Sequence, residues 1–261
     1  MCSLAETQSE KIDLYLTYVS LYEEEIQDLK KFSRALNINL HCIPFPEDLF
    51  NKFKETLFNK LDIQKPFTIE VFLRLFLHKL LPSELHRVLY LDSDIVVIKD
   101  LFDFYHMDFQ DKEIIVTPDA VSTDIIPEEH RNKLREQMGF QEGDTYFNAG
   151  VLLLNLDRIR NNLDFSDENL LKAIQEKDKG FHDQDVLNYL LKEKKIYLNT
   201  WAYNMPAPYL TYNQLCQGMI IHYVGYKPWQ TLTPLSFEKA DFYKKKEKFV
   251  DIIDDLLKEA M

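Results

Sequence analysis

Two carboxylates one residue apart, Asp92 and Asp94, stand at the end of a short apolar run, Val88 to Leu91. The run is too short for a helix and rich in branched and aromatic residues, which predicts a buried strand. A second apolar run, Ile95 to Ile98, follows Asp92-Ser93-Asp94 at once. Unpaired charge beside a core is costly, so the two acids need a partner. A divalent cation is one, since both side chains offer hard oxygen ligands. The end of a parallel strand is also where open α/β sheets place their ligands. The plainer reading is a solvated turn: the chain has 43 acidic residues, and a second D-x-D occurs at Asp183-Gln184-Asp185.

Other polar groups recur at the ends of apolar segments. Arg74 and His78 are i,i+4 neighbours beside the apolar stripe Val71, Phe72, Leu75, Phe76 and Leu80. Arg74 is either a surface charge or an arginine aimed at a phosphate or sugar. Asp119 closes the strand read over Glu113 to Val116, through Thr117-Pro118. Asn148, Ala149 and Gly150 are small residues at the entrance of Val151 to Leu154, and small residues there permit close backbone approach to a ligand. His182, Asp183, Gln184 and Asp185 open a helix, as ordinary caps or as groups facing a ligand. His222 lies in the late apolar strand Met219 to Val224, followed by Gly225 and Lys227. A lone strand histidine is usually a core residue; here a metal ligand beside a phosphate contact is equally consistent with the neighbours.

The elements that must hold these groups alternate strand and helix. Ile12 to Val19 reads as a strand, Glu23 to Leu36 as a helix with an acidic first turn ending at Asn37, and Asn39 to Ile43 as a strand stopped by Pro44. That order predicts a parallel sheet of the α/β class. Phe67 to Leu81 reads as a helix stopped by Pro82; Glu128 to Met138 and Phe165 to Lys177 read as further helices. Phe237 to Glu259 reads as a last helix with a basic run, Lys244 to Lys246. It either packs on the domain or lies on an anionic membrane surface.

Composition narrows the classes. The chain of 261 residues is 46% hydrophobic and 28% charged, with only 6 Gly, which suits a sizeable core with few flexible linkers. A formal net charge of −12 disfavours nucleic acid as a partner. Cys2, Cys42 and Cys216 are odd in number and lack C-x-x-C spacing, which points to buried thiols in a reducing compartment. No apolar run approaches the ~20 residues needed to span a bilayer, and no basic-then-apolar signal opens the chain. The expected location is cytoplasmic; contact with the inner face of the membrane is the alternative in which the last helix does not pack on the domain.

Four segments in order, L-Y-L-D-S-D, Y-F-N-A-G-V-L-L-L-N-L, H-D-Q-D-V-L-N and I-H-Y-V-G-Y-K-P-W, resemble the retaining glycosyltransferases of family 8. That family includes bacterial lipopolysaccharide galactosyl- and glucosyltransferases, and the resemblance runs from about Lys11 to Trp229. It implies a GT-A fold, a Rossmann-like α/β domain with a mixed, mainly parallel sheet, over residues 1–235, followed by the helix of 236–261. It implies a UDP-sugar donor, a saccharide or glycolipid acceptor, and manganese (or magnesium) as cofactor. By position, Asp92, Asp94 and His222 would hold the metal, and Gly225 and Lys227 would meet the diphosphate. Arg74, Ser93, Asp119, Asn148 and Ala149 would contact the donor. Asn148, Asp183 and Gln184 would surround the reacting carbon, with Gln184 opposite the leaving group. A neutral Gln184 favours same-face attack through an oxocarbenium-like state, while Asp185 keeps a covalent intermediate open as the alternative.

Two rival functions share parts of this pattern. A nucleotidyltransferase also places carboxylates at a strand end, but usually carries a Gly-rich basic phosphate loop, which is absent from the sequence. A degenerate sugar-nucleotide binder would bind UDP without turnover. The segment Met1 to Thr7 resembles the end of the family's first helix, and the expectation is a truncated start that lacks the first strand and its nucleotide loop. A central strand missing from a doubly wound sheet predicts a gap beside Val88 to Leu91, and weak UDP affinity.

Overall fold

The computed structural model describes residues 1–60, 69–120, 144–177, 182–207 and 210–224, together with 128, 129, 132 and 136. Most of the helix expected at Glu128 to Met138, all of that at Phe237 to Glu259, and Gly225 and Lys227 lie outside the described residues.

The core is built on β3 (Arg87–Leu91), β5 (Ile114–Val116), β6 (Val151–Asn155) and β7 (Lys195–Tyr197), which form one sheet in the order β3-β6-β5-β7. Strand β6 is apolar at four successive positions because both of its faces are covered. Leu152 and Leu154 pack with Ile114, Val116, Phe72 and Phe76 on one side. Val151 and Leu153 pack with Ile115, Phe104 and Ile220 on the other. A second sheet joins β4 (Ile95–Val97), β9 (Ile220–His222) and β8 (Met205–Pro206). A third pairs β1 (Asp13–Tyr18) with β2 (Asn39–Pro44) in parallel, on either side of α2 (Glu23–Ala35). Three acidic residues open α2 and Asn37 ends it at φ 56°, with Ile38 N–H donating back to the Ser33 carbonyl at 2.8 Å. This is a left-handed helix stop, as the asparagine predicts.

The architecture is α/β with mixed sheets, as expected, but the pairings among the described strands divide equally, three parallel and three antiparallel. Strand β3, read as parallel, runs antiparallel to β6. Among the described residues β3 pairs only with β6 and β1 only with β2. A cavity of about 620 Å³ is lined by Asp13 to Thr17 of one and Val88 to Asp92 of the other. Consecutive residues on both strands line it, so it runs along their edges, not against a sheet face.

The helix expected at Phe67 to Leu81 is a 3₁₀ helix, Ile69–Phe76, followed by one α-helical turn, α4 (Leu77–Leu80). In a 3₁₀ helix residues three apart eclipse, so the side chains form three rows. Val71, Arg74 and Leu77 line the cavity beside β3. Phe72 and Leu75 are fully buried on another row. Leu73 and Phe76, on the third row, are buried as well, so burial is not confined to the single apolar stripe on which the α-helical reading relied.

His78, from the row of Phe72 and Leu75, is 9% exposed and packs edge-on against Phe165 at 5.5 Å. Burial, helped by the neighbouring Lys79 charge, lowers its pKa to about 4 from an ordinary 6.5. The unfolded imidazole therefore takes up a proton that the folded one refuses. This contribution to stability is complete above about pH 6.5 and is lost as the pH falls towards 4. The shift corresponds to about 3 kcal/mol. In urea unfolding, His78→Leu is expected to gain on the wild type by roughly that amount between pH 7 and 4. The opposite contribution of Asp183 is present in both proteins and cancels. A wild-type-minus-variant difference that stays flat across this range rejects the buried neutral His78.

Candidate active site

The candidate groups converge where β3 ends and β6 begins. Antiparallel register sets Leu91 against Val151, and the ladder continues as Asp92 N–H donates to the Gly150 carbonyl at 2.8 Å. The β4–β9 ladder sets Ile95 against His222, and Tyr223 N–H donates to the Asp94 carbonyl at 3.0 Å. Two adjacent ladders thus carry Asp92, Asp94 and His222 to one point. Ligand atoms of the three lie within 4.8 Å of one another. His222 Nε2 is 3.3 Å from Asp94 Oδ1 and 3.7 Å from Asp92 Oδ2. Two carboxylate oxygens and an imidazole nitrogen are a donor set that fits a divalent metal ion.

Arg74 is not a surface charge. Its guanidinium is 2.9 Å from Asp92 Oδ1 and 2.7 Å from Asp183 Oδ2, donates to the Ala149 carbonyl at 2.5 Å, and lies 4.8 Å over the Tyr90 ring. The Tyr90 hydroxyl donates to the same Asp92 Oδ1 at 2.7 Å. With Oδ1 held twice, Oδ2 is the oxygen turned to His222. Burial alone would lower the Arg74 pKa, but Asp183, Tyr90 and Asp92 outweigh it and raise it. Burial raises the Asp183 carboxyl to about 7, with Arg74 pulling the other way.

A second polar group adjoins the first. The loop after β5 and the segment before β6 pair at Pro118 and Phe147. Asn148 Nδ2 donates to Asp119 Oδ2 at 3.0 Å, and Gln184 Nε2 donates to the same oxygen at 3.3 Å. Gln184 Oε1 accepts from Ala149 N–H at 2.8 Å, which fixes the start of α8 (Asp183–Leu190) against the β6 entrance. Asn188, one turn on, donates to the carbonyls of Gln184 and Phe147 and accepts from Phe147 N–H. Asn148, Ala149, Asp119, Asp183 and Gln184 are therefore brought together. Ser93 is exposed between the two acids and lines the cavity. Asp185 is 5% exposed and accepts the Tyr146 hydroxyl at 2.7 Å. Two positions along a helix are about 200° apart, so Asp183 and Asp185 face different ways.

Gly150 has a role the sequence placed elsewhere. Small residues here suggested room for a ligand, but the room is taken by site residues. A Cβ on Gly150 would lie 2.2 Å from His222 Cε1 and 2.9 Å from Asp92 Oδ2. Tyr90, Tyr146, Asn188 and Asn204 were not legible as site residues. Tyr90 reads as one more apolar position of a strand, and Asn204 stands in no motif. Asn204 is 2% exposed, donates through Nδ2 to Asn148 Oδ1 at 2.9 Å, and has Oδ1 2.9 Å from His222 Nδ1.

The mixed α/β sheets, the Asp-x-Asp strand end and the polar helix start fit a GT-A fold, in line with the structural superposition given below. The glycosyl transferase family 8 profile matches residues 1–233, and the chain belongs to that family. The chain is 30% identical to the lipopolysaccharide 1,2-glucosyltransferase of Escherichia coli K12 over 181 residues, covering 61% of this chain and 48% of that protein. It is 29% identical to glycosyltransferase GlyA of Streptococcus pneumoniae serotype 4 over 187 residues, covering 66% and 23%. The chain spans between 23% and 65% of the length of the curated relatives it matches. Among solved structures, the galactosyltransferase LgtC in complex with donor and acceptor sugar analogs superposes with a TM-score of 0.69 at 22% identity, covering 99% of this chain and 90% of that one.

Proposed function

We propose that this chain transfers a hexose, galactose or glucose, from a UDP-sugar to a saccharide or glycolipid acceptor, with retention and with Mn²⁺ or Mg²⁺. The observation that carries the reading is the Asp92–Asp94–His222 cluster directly beside the Asp119–Asn148–Gln184 group. A divalent ion held by the first would stabilise the charge that develops on a leaving diphosphate. Lys227 and Gly225 are assigned to the same diphosphate, and Ser93, Asp119, Asn148 and Ala149 to the donor. Arg74 holds Asp92 and Asp183 in place, a supporting role in addition to the donor contact expected of it. Gln184, oriented at both ends of its amide, presents a neutral group to the reacting carbon. Asp185, bound to Tyr146, is less well placed as a nucleophile, which favours same-face attack. The lipopolysaccharide glucosyltransferase relative supports a glycan or glycolipid acceptor. Among the described residues no helix is long and apolar enough to cross a membrane.

With UDP-glucose or UDP-galactose and Mn²⁺, the protein is expected to release UDP, and chelation should stop it. Asp94→Asn, which keeps the side-chain shape, is expected to lower turnover by about 100-fold or more with an unchanged circular dichroism spectrum. UDP binding without turnover would make the chain a binder only. Full activity of Asp94→Asn would remove Asp94 from the metal.

A further inference from the structure

A line of hydrogen bonds runs through the interior from Asp119 by way of Asn148 and Asn204 to His222. Heavy-atom positions alone do not tell an amide oxygen from its nitrogen, nor which imidazole nitrogen carries hydrogen. Both follow here from two groups that have a single hydrogen-bonding role. Gly150 N–H can only donate, and it lies 2.9 Å from one terminal atom of the Asn148 amide, so that atom is Oδ1. The Asp119 carboxylate only accepts, and it lies 3.0 Å from the other terminal atom, so that one is Nδ2. With Asn148 set, the Asn204 atom 2.9 Å from Asn148 Oδ1 must donate and is the amide nitrogen. The Asn204 oxygen is what remains to face His222 Nδ1 at 2.9 Å. An amide oxygen accepts, so Nδ1 carries the hydrogen. In the neutral ring Nε2 then carries the lone pair, and Nε2 is the nitrogen turned towards Asp94 and Asp92.

We propose that Asn204 is a positioning residue for the metal centre: through its bond to Asn148 it selects the Nδ1–H form of His222 and presents Nε2 as the ligand nitrogen. The proposal rests on the metal reading of Asp92, Asp94 and His222. Partners behind a ligating histidine set its tautomer and ring orientation, and their loss typically weakens metal binding by about 10- to 100-fold. Asn204 also ties the metal group to the donor group, since its nitrogen meets the amide that holds Asp119.

The test uses the whole chain, with Mn²⁺ as the probe. Nitrogen-15 spectra of histidine-labelled, metal-free wild type at pH 8.5 should show His222 protonated at Nδ1 only. Protonation at Nε2 with Nδ1 bare overturns the proposal without any variant. Mn²⁺ titration followed by electron paramagnetic resonance should show affinity lowered about 10- to 100-fold in Asn204→Leu. Asn204→Asp keeps an acceptor for Nδ1–H but sets a carboxylate against Asn148 Oδ1. It should melt at a lower temperature than wild type, yet keep the tautomer and bind Mn²⁺ within a few-fold of wild type. A merely structural role predicts instead that affinity falls with melting temperature in both variants, which would overturn the proposal. Wild type that binds no Mn²⁺ removes the metal reading and this proposal together. Wild type and Asn204→Leu that bind Mn²⁺ equally remove this proposal alone.

Discussion

Arg74→Met is expected to cost about 3–5 kcal/mol of folding stability at pH 8, the loss typical when one partner of a buried ion pair is removed. The Arg74 and Asp183 side chains are 12% and 6% exposed, so water screens little of their interaction. The guanidinium answers Asp92, Asp183 and the Ala149 carbonyl at once. A methionine of similar length fills the space and leaves two acids facing each other without a cation. The sign of the pH dependence separates this from a packing defect. Without Arg74 the Asp183 carboxyl, already raised to about 7 by burial, rises further. An acid with a raised folded-state pKa gains stability as the pH falls through that value, so the deficit of the variant should shrink between pH 8 and 5. Arg74→Lys should recover only part of the loss, because a point charge cannot satisfy three acceptors in a fixed fork. A deficit below about 1 kcal/mol at pH 8, well under the loss expected for a broken buried ion pair, would mean that Arg74 is not the counter-charge of this site.

The second large effect is expected at Gly150. An added methyl group would sit 2.2 Å from His222 Cε1, 2.8 Å from His222 Nδ1 and 2.9 Å from Asp92 Oδ2. None of these can yield cheaply. His222 is 4% exposed with Nδ1 engaged by Asn204, and Asp92 is tied by Arg74 and Tyr90. Overpacking of this kind costs about 1–3 kcal/mol. The functional loss should be larger, because the methyl group displaces two of the three proposed metal ligands. Gly150→Ala is therefore expected to keep its fold, with a melting temperature lowered by several degrees, and to bind Mn²⁺ about 100-fold more weakly. Unchanged Mn²⁺ affinity would show that the ligands move aside, and that the close packing at Gly150 is not part of the metal site.

The residues alone determined the local features. Val151 to Leu154 is apolar throughout because both faces of its strand are buried, a condition written into the run itself. Asn37 stops α2 because asparagine tolerates a positive φ. Asp92-Ser93-Asp94 stands out because charge next to a buried strand needs an answer. The four ordered segments carried the resemblance to the family, which the match over residues 1–233 supports.

Other features were decided by the fold. Residues 69–76 form a 3₁₀ helix with buried side chains on more than one row, which the single apolar stripe of the sequence did not mark. Strands β7 and β8, of three and two residues, have too little pattern to be read without their neighbours and exist because β5 and β9 present edges to them. His222 reaches Asp94 only through the β4–β9 register, across more than a hundred residues of chain. Arg74 reads equally well as a surface charge until the sheet brings Asp92 and α8 brings Asp183 to its two ends. Asn204 is the clearest case. Nothing around it in the chain marks it, because what gives it a role, an amide donor-acceptor pattern anchored at Gly150 and Asp119, comes from residues distant in sequence, and hydrogen-bond direction is a property of their packing.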